Sequence, residues 1–361
     1  MKRVVRNHNV LPRSQRGLTL VEIMVAVTLG LILTAGLIQV FVSNKQAYRV
    51  QEGLARLQEN GRFAIDFITR DVRGAGFAGC AGSTTTVVNT LNNASSYAWD
   101  FDLAVQGAEA TSATAWTPAL DASIVSAQGG RDVLTVRRAL GDPVTVTKHP
   151  GGDPPGSADI QVVSTQGLSD FDIVMITDCS DAAVFQITNV NTGGGNNNIV
   201  HNTGVGSPGN ATKALGKDYT GTGEIVRIST ITYYIGSVIP SAGSTFCPPG
   251  RPECPVLFRQ VGAAAAEELI EGVQDMQIRY GVDTDGDRVA NQYLQANAVA
   301  DFNNVVSVRL DLLLQTMEDN LTNAPQRYTY DNGTCGGGCT PADRRYRQVF
   351  SATIGLRNKV L

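Results

Sequence analysis

The chain has 361 residues, and its 29 basic and 33 acidic side chains give a formal net charge of −4. The net acidity argues against a protein whose whole surface binds DNA non-specifically. About 290 residues follow the long helix predicted at the N-terminus, which is enough for one large or two small β-rich domains. Six cysteines behind a membrane-targeting N-terminus indicate an oxidising compartment and disulfides rather than free thiols.

The N-terminus combines a basic leader with a long apolar segment. The apolar segment runs from Leu18 to Val42, and Glu22 is its only ionisable side chain. At about 1.5 Å per helical residue, this length spans the hydrocarbon core of a bilayer, which is about 30 Å thick. The leader before it carries five basic residues and no acidic one. The positive-inside rule therefore predicts a single membrane pass with a cytoplasmic N-terminus.

Glu22 distinguishes this segment from a plain anchor. A charge at hydrocarbon depth is costly, so it is normally paired or functional. A secretory signal peptide does not fit, because the apolar run is too long and no small-x-small cleavage site closes it. The sequence Arg16-Gly-Leu-Thr-Leu-Val-Glu22 instead resembles the class III signal of type IV prepilins, although Leu18 stands where Phe is usual.

This resemblance implies that a prepilin peptidase cleaves between Gly17 and Leu18, that Leu18 is then N-methylated, and that Glu22 takes part in subunit docking. Cleavage would leave an amine at Leu18, and the Glu22 carboxylate of an adjacent subunit could neutralise it inside an apolar bundle. Without the leader, the number of basic residues falls from 29 to 24, and the formal net charge becomes −9.

The helix is expected to continue beyond Val42 to Arg73 as an amphipathic segment. Small and apolar residues recur in steps of three and four, with charged residues between them. We expect the C-terminal half of this stripe to cover the globular domain, and the charges, Asp71 among them, to form a solvated face. Gly74 and Gly76 provide the stop signal. The stripe consists of Ala47, Val50, Leu54, Leu57, Gly61, Ala64 and Ile68.

The end of this helix narrows the resemblance to one group of prepilins. Residues 57–80, from Leu57 through a Gly-rich turn to Cys80, resemble the helix end of PilW-type minor pilins. The implied fold is α+β and type IV pilin-like. In it, a long N-terminal helix, first transmembrane and then amphipathic, packs on an antiparallel β-sheet head with long loops.

The chain after residue 80 has the pattern of a β-rich head. Residues 81–130 show weak periodicity and are expected to form surface loops with short strands, where Trp99 and Trp116 pack on satellite cores. The last two long strands resemble the C-terminal part of PilW-type proteins, whereas the resemblance is weak over residues 81–220. The predicted strands are Asp132–Arg137, Val144–Thr147, Ile160–Ser164, Phe171–Thr177, Val184–Val190, Ile225–Ile235, Val273–Val282, Val305–Gln315 and Tyr346–Leu356.

These elements predict four segments, the last of which is one lobe or two. The first is a leader that is removed, and the next two are the transmembrane and amphipathic parts of one helix. The fourth is a β-rich head on the far side of the inner membrane. Their boundaries are 1–17, 18–42, 43–73 and 74–361, and the lobes would lie at about 81–220 and 221–361.

The six cysteines form two pairs that are close in sequence and one distant pair. One close pair brackets a Pro-rich loop suited to a local clasp, and the other brackets three glycines, which supply the backbone freedom of a tight ring. The distant pair would close a long loop. A four-cysteine zinc site is the alternative, but neither spacing is the usual C-x2-C. The predicted disulfides are Cys80–Cys179, Cys247–Cys254 and Cys335–Cys339.

One segment, residues 283–291, has the spacing of a metal-binding loop. Carboxylates at its first, third and fifth positions suit a hard cation, and the segment resembles calcium loops of EF-hand and dockerin type. Arg288 stands at position six, where Gly is expected, and Leu294 replaces the acidic residue at position twelve. A calcium loop and an Asp/Gly-rich hairpin turn both stay open. The ligands of the calcium alternative are Asp283, Asp285, Asp287, Val289 and Asn291.

The sequence carries no enzymatic motif. Outside the leader the only histidines are His149 and His201, whose loop-like surroundings predict surface positions. The segment Gly204-Val-Gly-Ser-Pro-Gly209 matches a phosphate-binding pattern formally, but no hydrophobic strand leads into it and a proline lies inside it. G-x-S-x-G, Walker A and H-E-x-x-H motifs do not occur. We therefore expect a protein that is not an enzyme.

The resemblance implies a minor pilin, a structural subunit that helps to initiate type IV pilus assembly in a tip complex. Twitching motility, adhesion or DNA uptake would follow from it. Implied partners are other minor pilins, the major pilin, the prepilin peptidase and the inner-membrane assembly platform, and no nucleic-acid site is evident. The head would be periplasmic before assembly and extracellular in the pilus. A pseudopilin of type II secretion and a pilin-anchored adhesin or ligand-binding module are the alternatives.

Overall fold

The computed structural model describes residues 17–77, 86–152, 156–193, 197–239, 247, 254–330, 335 and 337–360. Its contacts divide the chain into two units after Glu52. Among the described residues, the first unit holds the N-terminal part of α1, and the second holds all the strands. The helices and strands are α1 (Leu20–Arg73), β1 (Thr86–Asn89), β2 (Val105–Ala110), β3 (Trp116–Thr117), β4 (Val133–Lys148), β5 (Asp159–Val162), β6 (Ile173–Thr177), β7 (Asp181–Gln186), β8 (Asn189–Asn191), β9 (Asn197–Val200), β10 (Glu224–Val238), β11 (Cys254–Val261), β12 (Glu267–Glu271), β13 (Val273–Val282), β14 (Gln292–Leu294), β15 (Val305–Gln315), β16 (Arg347–Gly355) and α2 (Arg357–Val360), with short 3-10 helices at Ala296–Ala298 and Phe302–Asn304.

The first unit contains the N-terminal part of α1. Of the described residues, α1 is the one helix that is long and apolar enough to cross a membrane, judged by length and composition. None of its most apolar 18-residue window is buried. Leu33 and Phe41, for example, expose 68% and 70% of their surface. A helix with this surface requires lipid or other apolar partners around it.

The C-terminal part of α1 belongs to the second unit, and there the predicted stripe is buried. Leu57, Gly61, Ala64 and Ile68 face the core. A Cβ atom on Gly61 would lie 2.4 Å from the ring of Phe350, so the glycine permits a close approach of helix and β16. The helix ends at Arg73, and Gly76 follows with a φ of +68°. The predicted stop is therefore confirmed.

Two sheets form the rest of the second unit. A twelve-stranded sheet has the order β1-β7-β6-β10-β4-β5-β9-β8, with β11 and β12 attached to β10, and β2 and β3 attached to β4. A four-stranded sheet has the order β14-β13-β15-β16. Among the described strands, all pairs are antiparallel except β1 with β7. The predicted α+β architecture, a long helix with antiparallel-rich sheets, is confirmed.

The four-stranded sheet follows the sequence pattern closely. Strands β13 and β15 begin and end at the predicted residues, and β16 differs by one residue at each end. Leu310 and Leu312 of β15 pair with Ile278 and Met276 of β13. All four side chains lie in the core cluster that includes Ala64 and Ile68 of α1. Alternation along these strands thus places one face against the helix.

Strand β4 corrects the prediction of separate strands at Asp132–Arg137 and Val144–Thr147. Both belong to one strand, because β10 pairs with the two halves. Leu140 lies opposite Arg227 and Val144 opposite Ile225, so four steps along β4 match two along β10. Gly141, with a φ of +80°, lies in the resulting bulge. The sequence between the two halves contains Gly and Pro, which predict a break. Nothing in this local pattern indicates that both halves pair with β10.

The prediction of one strand over Val184–Val190 is also wrong. The structure has β7 and β8 there, because β7 pairs with β6 whereas β8 pairs with β9. Ile187 donates its N–H to Asp172, and Thr188 donates its N–H to Val200. The chain therefore crosses between two parts of the sheet at these residues. Predicted and observed boundaries differ by up to three residues at the ends of β5, β6 and β10.

Asp71 lies in the core, where the sequence predicted a solvated charge. Its side chain accepts a hydrogen bond of 2.6 Å from the Tyr233 hydroxyl. It also forms ion pairs with Arg138 at 2.9 Å and Arg259 at 3.5 Å. Burial and the negative charge of Asp71 raise the pKa of Tyr233. The last turn of α1 is thus tied to β4, β10 and β11 of the twelve-stranded sheet.

Asp132 connects the two sheets. Its N–H donates to the Met276 carbonyl at 3.0 Å, and its Oδ2 atom accepts from the Ile278 N–H at 2.9 Å. Burial, together with the nearby charge of Glu109, raises the pKa of Asp132 to about 8. The carboxyl group therefore stays largely protonated at neutral pH.

The two tryptophans pack as predicted. Trp99 borders a small cluster around Met175 and Val226, and Trp116 borders another around Val133 and Tyr234. The Trp116 Nε1–H donates to the Arg131 carbonyl at 2.9 Å. Both indole rings therefore contribute to satellite cores of the twelve-stranded sheet.

Candidate functional site

The predicted processing segment lies at the start of α1. Gly17, Leu18 and Thr19 precede the first helical residue, Leu20. The Leu18 side chain exposes 74% of its surface. The cleavage of the Gly17–Leu18 bond and the N-methylation of Leu18 stay predictions.

Glu22 forms a capping box with Thr19. Its Oε2 atom accepts hydrogen bonds from the Thr19 N–H and hydroxyl, both at 2.9 Å. In return, the Thr19 hydroxyl oxygen accepts from the Glu22 N–H at 3.3 Å. This reciprocal pair satisfies donors that the first turn of a helix otherwise leaves open. The T-x-x-E sequence before an apolar run signals such a cap, and our sequence analysis missed it.

Two comparisons with known families bear on this segment and on the head. Residues 12–38 match the model of the prokaryotic N-terminal methylation motif. Residues 233–358 match the model of the family described as Type IV Pilus-assembly protein W. Together the two matches support a PilW-type, prepilin-like protein. No curated protein matches it.

The two matches support a role like that of a minor pilin in a type IV pilus. They point to a structural role together with other pilus components, with the N-terminal helix as the membrane anchor. The second match begins within β10 and ends in α2, so it includes the whole four-stranded sheet.

Two of the three predicted disulfides join described residues. Cys247 is bonded to Cys254 and Cys335 to Cys339, with Cα–Cα distances of 5.7 and 5.0 Å. These four cysteines therefore do not form the zinc site that the sequence left open. Cys179 is disulfide-bonded as well. Cys80 lies outside the described residues, so the pair Cys80–Cys179 stays a prediction.

The predicted calcium loop brings three carboxylates together between β13 and β14. Oxygen atoms of Asp283, Asp285 and Asp287 lie within 4.8 Å of one another, and oxygen is the donor that calcium prefers. Arg288 has a φ of +67°, the left-handed conformation for which glycine is favoured. Leu294, at position twelve, lies in β14 opposite Tyr280. Its apolar side chain has no atom that could bind a cation. The donor set fits a hard cation except at position twelve.

The same loop also forms a turn in which side chains and backbone N–H groups of the loop hydrogen-bond to one another. Asp283 accepts hydrogen bonds from the N–H groups of Gly286 at 2.7 Å and Arg288 at 2.8 Å. Burial acts to raise the pKa of Asp283, but these hydrogen bonds lower it below its usual value. Asn291 accepts from the Thr284 N–H at 2.7 Å. Calcium binding, including a contribution from the Val289 carbonyl, stays a prediction.

The expected surface positions of His149 and His201 are wrong. The two side chains are 2% and 0% exposed and lie against the core around Phe185 and Tyr219. His149 follows β4 and His201 follows β9, and these strands both flank β5. Polar and Gly-rich neighbours in sequence hid this burial, because the covering side chains come from distant segments.

A groove lies between the solvent side of α1 and β16. It is lined by residues of both elements, among them Arg62, Asp66 and Thr353. Phe63 also lines it with 52% of its surface exposed, and Phe67, nearby on the helix, is 41% exposed. Exposed aromatic side chains beside a strand at the edge of a sheet are typical of a surface that contacts another protein.

Proposed function

We propose that this protein is a minor pilin that enters the type IV pilus and helps to initiate its assembly in a tip complex. One observation carries the proposal: the first part of α1 exposes its apolar side chains and has a single carboxylate, Glu22, five residues after Gly17. Such a helix needs lipid before assembly and neighbouring helices after it.

In this proposal the newly made chain is first inserted in the inner membrane with its N-terminus in the cytoplasm. Prepilin peptidase cleaves after Gly17, and Leu18 becomes the methylated first residue. The head lies in the periplasm and later in the extracellular fibre. The disulfides Cys247–Cys254 and Cys335–Cys339 support an oxidising compartment for the head.

Glu22 docks the subunit in this proposal. In the isolated chain its carboxylate is held by Thr19, so the charge is already oriented at the N-terminal end of the helix. During assembly this carboxylate pairs with the Leu18 amine of an adjacent pilin. Because an unpaired charge inside an apolar bundle is strongly destabilising, arrangements in which Glu22 or the amine lacks its partner are disfavoured.

Other minor pilins and the major pilin are the proposed neighbours, and the assembly platform is the proposed site of incorporation. The exposed Phe63 beside β16, with the exposed Phe67 one turn further along the helix, supports contacts between the head of this subunit and its neighbours. A structural role in a fibre needs no active site, and we propose none.

The decisive experiment compares Glu22→Ala with wild type in cells. Glu22→Ala should remain in the membrane but disappear from sheared fibres, because the adjacent amine then has no partner. Glu268→Gln, which changes an exposed carboxylate of the head, is the control and should enter fibres normally. Mass spectrometry of the fibre fraction should find a methylated Leu18 at the N-terminus. Normal incorporation of Glu22→Ala would overturn the proposal.

Deletion of the gene distinguishes the minor-pilin hypothesis from the type II secretion pseudopilin hypothesis. Loss of surface pili with normal export of secreted proteins supports the minor pilin. Loss of export with normal pili would identify a pseudopilin. A specific receptor for the head, with pili and export both intact after deletion, would favour the adhesin instead.

A further inference from the structure

Strand β16 lies at an edge of the four-stranded sheet, and among the described strands it pairs with β15 alone. The hydrogen bonds next to its two ends show which backbone groups bond to the β15 side. The Leu356 N–H donates to the Val306 carbonyl at 2.9 Å. At the other end, the Thr316 N–H donates to the Tyr346 carbonyl at 2.9 Å. Residues that exchange hydrogen bonds alternate with residues that do not in an antiparallel pair. The even-numbered residues of β16 therefore bond to β15, and the odd-numbered residues point their N–H and C=O groups away from it.

The first of these outward residues is Arg347, and a side chain satisfies its backbone groups. The Arg347 N–H donates to the Gln326 Oε1 atom at 2.8 Å, and the Arg347 carbonyl accepts from the Gln326 amide at 3.1 Å. One side chain thus takes the place of a neighbouring strand at this end. The later outward residues have no backbone partner of this kind among the described residues. They are Val349, Ser351, Thr353 and Gly355.

The edge at β16 lacks the features that usually protect the edge of a sheet. Short strands, charged side chains and prolines normally prevent pairing with another chain. The other described strands with a single neighbour contain two to five residues, and one of them, β12, has three glutamates. In contrast, β16 has nine residues, and after Arg347 it contains neither a charged residue nor a proline. A long, uncharged and open edge indicates a strand to which another chain is added.

A groove beside this edge provides space for the side chains of an added strand. The even-numbered side chains of β16, Phe350 among them, pack toward α1. The groove lies between this face and α1, and the exposed Phe63 lines it. Successive side chains of a strand point to opposite faces of a sheet, so every second one of an added strand would enter this groove. Apolar residues fit these positions, because they would cover Phe63.

The charges at one end of the groove indicate what the added strand carries. A second pocket continues the groove past the end of β16, and the two share Asp66 and Arg73. This pocket is also lined by Arg70 and Arg357, and all three arginines are exposed. Asp66 is the only acidic residue in the described lining of the pocket. The C-terminal end of the α1 dipole offsets about half a charge, so positive charge remains in excess. An occupant with acidic residues at this end is therefore favoured.

We propose that β16 is a docking strand, to which a different subunit of the pilus adds an extended segment in the antiparallel direction. All pairs of the four-stranded sheet are antiparallel, and such pairs are slightly more stable than parallel ones. An antiparallel segment begins where β16 ends. Its acidic residues are therefore at its N-terminal end, beside the arginines, and apolar residues alternate with polar ones after them.

A second copy of this chain fits the edge less well. If it paired through its own β16, the N-terminal end of that strand would bring another arginine, Arg347, to the positive end of the groove. Like charges placed together disfavour such a contact. The partner is therefore a different protein. The proposal rests on the proposed role in the pilus, since that partner is another subunit of the fibre.

The first test uses the full chain in cells. The photoreactive residue p-benzoylphenylalanine replaces Thr353, and sheared fibres are irradiated. We expect a cross-link to a different fibre subunit, and peptide mass spectrometry should place it in a segment with acidic residues followed by alternating apolar residues. The same photoreactive residue at Val163, an exposed position near the twelve-stranded sheet, is the control. A cross-link to a second copy of the chain, or none above the control, would overturn the proposal.

Two variants at the same position test the backbone hydrogen bond. Thr353→Pro removes an outward N–H but leaves the hydrogen bonds to β15, and edge strands tolerate proline. Thr353→Ala keeps the N–H and is the matched control. Incorporation into fibres should fall about tenfold for Thr353→Pro, because a carbonyl of the partner loses its donor, and change by less than about twofold for Thr353→Ala. Equal incorporation of the two variants would count against strand addition.

Site-resolved amide hydrogen exchange on the wild-type protein keeps the test independent of how a variant folds. In the full chain purified in detergent, the amides of Ser351 and Thr353 should exchange much faster than those of Ala352 and Ile354. In fibres the first two should become protected. Protection already in the purified chain would show that the chain itself covers the edge and would overturn the proposal. If the chain is present in fibres but these amides stay unprotected, this proposal alone fails, whereas absence from fibres refutes the proposed role in the pilus as well.

Discussion

The two sheets of the head are built in different ways. The four-stranded sheet shares one core cluster with the C-terminal half of α1, and its strands lie entirely within residues 233–358, which match the PilW-type family. Most of the twelve-stranded sheet precedes that region. It contributes residues such as Leu134 and Tyr233 to the shared cluster and also forms further core clusters of its own. Register shifts occur in both sheets, between β13 and β15 in the smaller one and between β4 and its neighbours β10 and β5 in the larger one. The two sheets therefore differ in how their cores are filled rather than in their regularity.

The contrast has a physical explanation. A long amphipathic helix offers a straight apolar stripe, and the three long strands of the four-stranded sheet, nine to eleven residues each, contribute to the core cluster beneath it. Strand β4 of the larger sheet is divided instead: Leu134 and Val136 lie in the cluster with α1, whereas Val144 and Val146 lie in another cluster, and the bulge at Gly141 falls between them. Asp71 ties α1 to the twelve-stranded sheet, and Asp132 ties that sheet to the four-stranded one. Substitutions of these two residues therefore test the comparison first.

The largest effect is expected at Asp71. Asp71→Asn leaves the charges of Arg138 and Arg259 without their buried carboxylate and should lower the free energy of unfolding by about 3 kcal/mol. Asp66→Asn, an exposed carboxylate on the same helix, should change it by less than about 0.5 kcal/mol. Denaturant unfolding of the two variants measures both values. Equal effects would show that α1 does not depend on this network.

The link between the sheets should weaken as pH rises. The pKa of Asp132 is about 8 in the folded state, compared with 3.8 for an unperturbed Asp. Between these two pH values the folded state therefore binds more protons than the unfolded state. Stability due to this group is therefore complete at low pH and falls by at most about 2.7 kcal/mol from pH 6 to pH 8. Asp132→Asn should remove this slope. An unchanged slope would assign the pH dependence to other groups.

The close packing of α1 on the four-stranded sheet is tested at Gly61. Gly61→Val inserts a side chain 2.4 Å from the Phe350 ring and should cost about 2 kcal/mol through overpacking. Gly355→Val, at the end of the same β16 strand, meets nothing within 4 Å and should be nearly neutral. Thermal unfolding of both variants provides the comparison. A neutral Gly61→Val would mean that the helix can shift away from the strand.

The smallest effect is expected at the predicted calcium loop of the four-stranded sheet. With a dissociation constant near 1 mM, 10 mM calcium should stabilise the wild type by about 1.4 kcal/mol. The double variant Asp283→Asn/Asp285→Asn should not respond to calcium. Thermal unfolding with magnesium as the control cation measures the difference. The same shift in wild type and variant would leave the loop as a simple turn.

The sequence by itself determined those parts whose signals are local. The apolar run with Glu22, the helix stripe from Leu57 to Ile68, and strands β13 and β15 all follow from the spacing of neighbouring residues. The short disulfides also follow from short spacings. Even the capping box of Thr19 and Glu22 was readable, because its partners are three residues apart.

Only the tertiary structure decided the rest, because the partners there are distant in sequence. Strand β4 is continuous since β10 lies beside it, and Asp71 is buried since Tyr233 and Arg259 cover it. His149 and His201 meet in the core although 52 positions separate them in the chain. Burial and pairing depend on which segments fold together, and no periodicity within one segment encodes that choice.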